Sequence, residues 1–225
     1  PMLILEFTAR TLNLAPPTTP NPMIWEGHRD LGWWHLPDSG GTFYSSFMEY
    51  QTEVQINALR LRDEQSLDSY DIPDDKFRLL ILADSYGEAL EVSLEDTFAK
   101  QLQNRITADG LPIQTINSGV GSWGTDQQAS YYRIEGHKFK PQLTLLFFYI
   151  GNDVVNNYAP FETARLGGAI QKDFYQLDEQ GQLVTPDQFD REAFRVTLPE
   201  RQQDDPPPAY LEDAADWLWL NSDLY

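Results

Sequence analysis

Apolar residues along this chain cluster into three runs of strand length, with helical repeats between them. The first run, FRLLILAD at residues 77–84, is nearly unbroken, as expected of a strand covered on both faces. PIQTIN at 112–117 and LTLLFFYI at 143–150 read as two more strands of the same kind. Between the first two, Leu94, Phe98, Leu102 and Ile106 recur every four residues and mark one apolar helix face. Ser93 followed by Asp96 gives that helix an N-terminal cap. Thr125 followed by Gln128 predicts a second capped helix running to about Gly136. The order is β-α-β-α-β, and helical crossovers imply parallel strands with right-handed connections. The prediction is an α/β protein, a three-layer α/β/α sandwich with a parallel sheet, flavodoxin-like in outline.

The flanks are less regular. Residues 1–22 hold a short apolar patch, MLIL, and a Pro-rich linker with Pro16, Pro17, Pro20 and Pro22. The patch is too short to span a bilayer, which takes about 20 apolar residues, and reads as the tail of a membrane anchor upstream of residue 1 or as a short packed helix. Residues 23–75, rich in Trp, Gly and Asp, read as an irregular lead-in with a short strand or two. Residues 76–225 form the main domain, with a hairpin expected around Glu179-Gln180-Gly181 and an amphipathic helix in AYLEDAADWLWLNSDLY. The DEQ and EDTFAK runs read as solvated faces, and the cluster Trp25, Trp33, Trp34 as packing.

Composition narrows the chemistry. With 225 residues and a 41% hydrophobic fraction the chain can build a substantial core. A net charge of -19 argues against nucleic acid and against docking on anionic membrane. There is no cysteine, which removes disulfides, thiolate nucleophiles and Cys-ligated zinc. No cofactor and no metal is expected.

In parallel α/β sheets, ligands bind at the carboxyl ends of the strands. The three strands end in Asp84-Ser85, in Asn117-Ser118-Gly119-Val120-Gly121 and in Gly151-Asn152-Asp153, so all three project to one edge. Ser85 is a usable nucleophile if a base takes its proton. A serine N–H, the Gly119 N–H and the Asn152 amide together make a three-donor oxyanion hole, which acyl transfer needs. Each residue alone has a plainer reading: Ser85 as a helix cap, Gly119 as a turn glycine, Asn152 as a strand-end cap. Their convergence favours the functional one. An aspartyl phosphatase reading would need a second Asp where Tyr86 stands.

ADSYGEA (83–89), NSGVGSWGTDQ (117–127) and YIGNDVVNN (149–157) resemble the first three conserved blocks of the SGNH/GDSL hydrolase superfamily, in order and spacing. DLGWWHLPD and INALRLRD upstream look like a bacterial branch often carrying an N-terminal membrane anchor. The resemblance implies that Ser85 is the nucleophile and an oxyanion donor, and that Gly119 and Asn152 are the other donors. Asp84 would shape the turn. The implied activity is hydrolysis of an ester through an acyl-serine, on a small-molecule, glycan or lipid ester, outside the inner membrane. A cell-envelope acyltransferase and an inactive glycan-binding relative are the alternatives.

Two departures stand out. Ala83 replaces the glycine of the family's GDS, and the family's D-x-x-H is missing. The histidines are His28, His35 and His137, with His137 at the opposite sheet edge from Ser85. The expectation is a chain cut before its last block, the alternative a complete chain without activity.

Overall fold

The computed structural model describes residues 21–45, 49–165 and 172–184. The terminal segments 1–20 and 185–225 lie outside the described residues, and with them most of the linker and the expected C-terminal amphipathic helix.

The strand order and direction follow the sequence pattern. β1 (Trp25–His28) and β2 (Gly32–His35) form one antiparallel hairpin, and β3 (Gly40–Tyr44) and β4 (Gln51–Gln55) a second. The lead-in is therefore four paired strands, where one or two were expected. Its alternation was partly hidden, because β2 is buried at all four positions and carries no polar-apolar period. β5 (Phe77–Leu82) follows, then the four-residue helix α1 (Ser85–Glu88) and α2 (Phe98–Ala108). β6 (Ile113–Asn117), α3 (Thr125–Ile134) and β7 (Leu143–Leu146) complete the crossovers. β5 pairs in parallel with both β6 and β7, so the order is β6-β5-β7. α4 (Asp153–Asn156), α5 (Ala159–Arg165) and the hairpin of β8 (Gln176–Leu177) and β9 (Leu183–Val184) come last. Gly181 turns that hairpin with φ of 74°, a left-handed conformation suited to glycine.

Alternation along β5 separates two cores. Leu80 and Leu82 face a cluster with Trp33, Trp34, Ile116, Trp123 and Tyr131. Leu79, Ile81 and Ala83 face the other side, against Ala99 and Ile113 with Leu102 and Ile106 packed on them. Layers lie on both faces of the parallel sheet: α2 on one, α3 with the Trp-rich hairpin on the other. Full burial of a side chain such as Leu80 or Ile81 is worth about 1.5–3 kcal/mol. A satellite core of Ile24, Phe43, Val54, Ile56 and Leu90 attaches the second hairpin.

Both helix caps shift from their sequence assignments. Ser93 bonds Asp96 through its side chain, but the turn it opens is a short 3-10 segment, Leu94–Asp96. Thr97 is the cap of α2, accepting from the Lys100 N–H at 3.4 Å. Phe98 is accordingly 53% exposed, while Thr97, Ala99 and Lys100 are buried, so EDTFAK is not a solvated face. At α3 the cap is Gly124, whose N–H donates to the Gln127 side chain at 3.1 Å.

The third strand departs furthest. It spans only Leu143–Leu146, and Leu143 and Leu146 are 46% and 51% exposed. The run LTLLFFYI is apolar throughout, but among the described residues no strand pairs with the outer edge of β7. No helix among the described residues is long and apolar enough to cross a membrane.

Candidate active site

Ser85 opens α1 immediately beyond β5. Asp84 caps the helix, accepting the Tyr86 N–H at 3.0 Å, as expected of a turn-shaping residue. Asp84 is buried while the Ser85 side chain stays partly open to solvent. Ala83 fits the position where the family pattern has glycine. It is fully buried, and the space its methyl occupies is released by Gly87, where any Cβ would strike the Ala83 Cβ.

The second strand end is bonded directly to the first. Ser118 N–H donates to the Ile81 carbonyl at 3.0 Å, and the Ser118 hydroxyl to the same oxygen at 2.7 Å. Asn117 bridges the two turns: its amide donates to the Gly87 carbonyl at 2.7 Å and its oxygen accepts the Gly119 N–H at 3.1 Å. Gly119 lies against α1, and a Cβ there would sit 2.5 Å from the Gly87 carbonyl carbon. Glycine is thus demanded by close backbone approach and not by a positive φ. In this state the Gly119 N–H points at Asn117, not at an open site, so use of that donor requires Asn117 to yield. Gly121 and Gly124 are also close-approach positions, against Glu88 and Asn157.

The third strand end brings Asn152 beside Asp84. Asp153 organises this turn: its carboxylate accepts the Tyr149 N–H at 2.6 Å, and the Asn152 and Asp153 N–H groups return to the Tyr149 carbonyl. Burial raises the Asp84 carboxyl above its ordinary range, against the pull of the Tyr86 N–H and the Asn152 amide. Asp153 is pushed up to about 6 by burial, with Asp84 and Asp126 adding negative charge nearby. Ser85, Gly119 and Asn152 therefore share one edge of the sheet, as their strand-end positions require.

A set of buried polar residues braces this edge. Glu88, at the end of α1, meets His35 Nε2 at 2.6 Å and accepts the Trp25 indole N–H at 2.8 Å. His35 Nδ1 lies 3.0 Å from the Arg60 carbonyl, which can only accept, so this nitrogen carries a proton. Arg62 donates to the carbonyls of Glu88, Ala89 and Val92 and so caps α1 from the lead-in. Asp63 pairs with Lys100 at 2.5 Å and accepts the Asn117 N–H at 3.2 Å. Burial works against the Lys100 charge, but Asp63 and Glu64 outweigh it and raise its pKa. Behind Asn152, Lys172 donates to Asp126 and to the Asn156 carbonyl, each at 2.8 Å.

None of these braces was singled out from the sequence. The first DEQ run contains buried Asp63, and His35 is a paired core residue. A charged residue in an apolar stretch, such as Arg62 in ALRLRD or Lys100 on the buried face of α2, is the signal that could have found them. Among the described residues no histidine bonds Ser85. His28 Nδ1 accepts the Leu31 N–H at 3.2 Å, and His137 is exposed beside the start of β7. No group of three or more potential metal ligands occurs among the described residues.

No family profile and no curated protein matches the chain. Among solved structures, the chain is similar to AlinE4, an SGNH-hydrolase family esterase, at 16% identity and a TM-score of 0.33, over 66% of this chain and 96% of that one. An Asp-to-Ala mutant of the same esterase aligns at 18% identity and a TM-score of 0.33, over 42% of this chain. That alignment spans half the length of the mutant's chain.

Proposed function

We propose that this is a serine-dependent ester hydrolase in which Ser85 forms the acyl-enzyme and Gly119 and Asn152 stabilise the oxyanion. The observation that carries the reading is the meeting of three strand ends. Ser85 stands half-buried at the start of α1, Gly119 abuts that helix, and Asn152 lies beside Asp84. In the reaction the Ser85 oxygen attacks the ester carbonyl while a base removes its proton. The carbonyl oxygen gains charge, and it is stabilised by the Asn152 amide and by the Gly119 N–H once Asn117 releases it. The intermediate then expels the alcohol, and water releases the acid.

The base is tested separately from the nucleophile. All three histidines of the chain engage other partners, so imidazole supplied in solution should substitute for a missing base. The chain is treated with a fluorophosphonate probe, with and without imidazole, beside Ser85→Ala. Slow labelling that imidazole accelerates, and that Ser85→Ala abolishes, is the expected result. Labelling that persists in Ser85→Ala, or its absence with imidazole present, would sink the reading.

A further inference from the structure

We propose that Tyr86 and Tyr149 form the recognition wall of this site, and that the wall takes an uncharged ester with an apolar group beside the scissile bond. The inference rests on Ser85 marking the site. Tyr86 is the residue after Ser85 and is 66% exposed. Its ring centroid is 4.7 Å from that of Tyr149, with the planes tilted by 58°.

Each ring is anchored to a different part of the site. Tyr86 belongs to the Ser85 turn, and its N–H is held by Asp84. Tyr149 belongs to the Asn152 turn, with its N–H on Asp153 and its carbonyl accepting from Asn152 and Asp153. Gly151 is what lets the Tyr149 ring lie where it does, since a Cβ there would fall 2.5 Å from the ring. The pair therefore bridges the proposed nucleophile turn and the Asn152 turn with two aromatic faces. Neither ring supports a core cluster, so the exposed face of Tyr86 is free to cover a ligand.

Charge selects among ligands. Asp84 sits in the same turn, its carboxylate on the Tyr86 N–H, and the whole chain carries -19. An ester bearing a second carboxylate meets that field unfavourably, whereas a neutral alkyl or ring group gains contact with the tyrosines.

The test measures binding on Ser85→Ala, so that recognition is read without turnover. Ethyl butyrate and monoethyl succinate are compared by NMR titration; both are ethyl esters of four-carbon acids, and only the second is anionic. Ethyl butyrate should bind, with monoethyl succinate weaker by about tenfold at low salt and the gap narrowing as salt is added. Adding Tyr86→Ala should weaken ethyl butyrate by up to about tenfold, and Tyr86→Phe should restore most of it. Undetectable binding of ethyl butyrate, equal binding of the two esters, or indifference to Tyr86→Ala overturns the proposal. Failure of Ser85 labelling would instead overturn the catalytic reading, since the titration does not depend on it.

Discussion

Among the described residues, the two edges of the parallel sheet are finished in opposite ways. On β6, the outward N–H groups of Thr115 and Asn117 are taken by the side chains of Gln103 and Asp63, at 2.8 and 3.2 Å. All five residues of β6 are buried. On β7, Leu143 and Leu146 are about half exposed, and the turn beyond is held mainly by Asp153. Sheet edges need such blocking, because unpaired backbone groups recruit other strands. The difference divides the site. Ser85 and Gly119 stand on the sealed side, cross-braced by Asn117, Glu88, Arg62 and Asp63. Asn152 stands on the lightly held side, so the proposed oxyanion donors differ in how firmly they are placed.

The contrast can be broken most directly at Glu88. Glu88→Ala leaves the buried His35 and Trp25 without their acceptor, and breaking a buried pair in this way costs roughly 3–5 kcal/mol. Urea unfolding should show that loss, and Glu88→Gln, which keeps an acceptor, should lose less. Leu80→Ala at the centre of the sheet should cost about 2–5 kcal/mol by leaving a cavity. Gly119→Ala should cost about 1–3 kcal/mol, because its methyl meets the backbone of α1, and it should slow labelling of Ser85. If Gly119→Ala left both unchanged, the close approach of the two turns would be wrong.

The Asn152 side is sharpened by pH. Asp153 has an ordinary value of 3.8 and is raised to about 6 in the fold. A carboxyl raised in this way binds its proton more tightly when folded, so its contribution to stability falls as pH rises from about 4 to about 6. Thermal unfolding across that window should show the fall, and Asp153→Asn should flatten it. The smallest effect is expected at Leu146→Ala on the open edge, within about 0.5 kcal/mol. A large loss there would mean that β7 is not an edge in solution.

The same contrast shows what was readable in the chain. That Ser85, Gly119 and Asn152 share one edge was legible because each sits at the end of an apolar run, and parallel topology sends such ends together. The core alternation of Leu79 to Leu82 was legible for the same local reason. The burial of β7 was not, because an apolar run records what a strand can tolerate and not which neighbours reach it. Ser93 and Thr97 are both good caps at nearly the same place, so only packing of Ala99 and Lys100 decides between them. The pairs His35–Glu88 and Asp63–Lys100 join residues 53 and 37 positions apart, and nothing local marks such partners. A charge within an apolar stretch signals burial, but its partner shows only in the fold.

The central claim is that three strand ends make one acyl-transfer site. Its most direct test is the structure of the Ser85 adduct formed with a fluorophosphonate. The account predicts a phosphoryl oxygen within about 2.7–3.1 Å of the Gly119 N–H and the Asn152 amide, with Asn117 turned away from Gly119. An adduct whose oxygen faces solvent, with the Gly119 N–H still on Asn117, would contradict it.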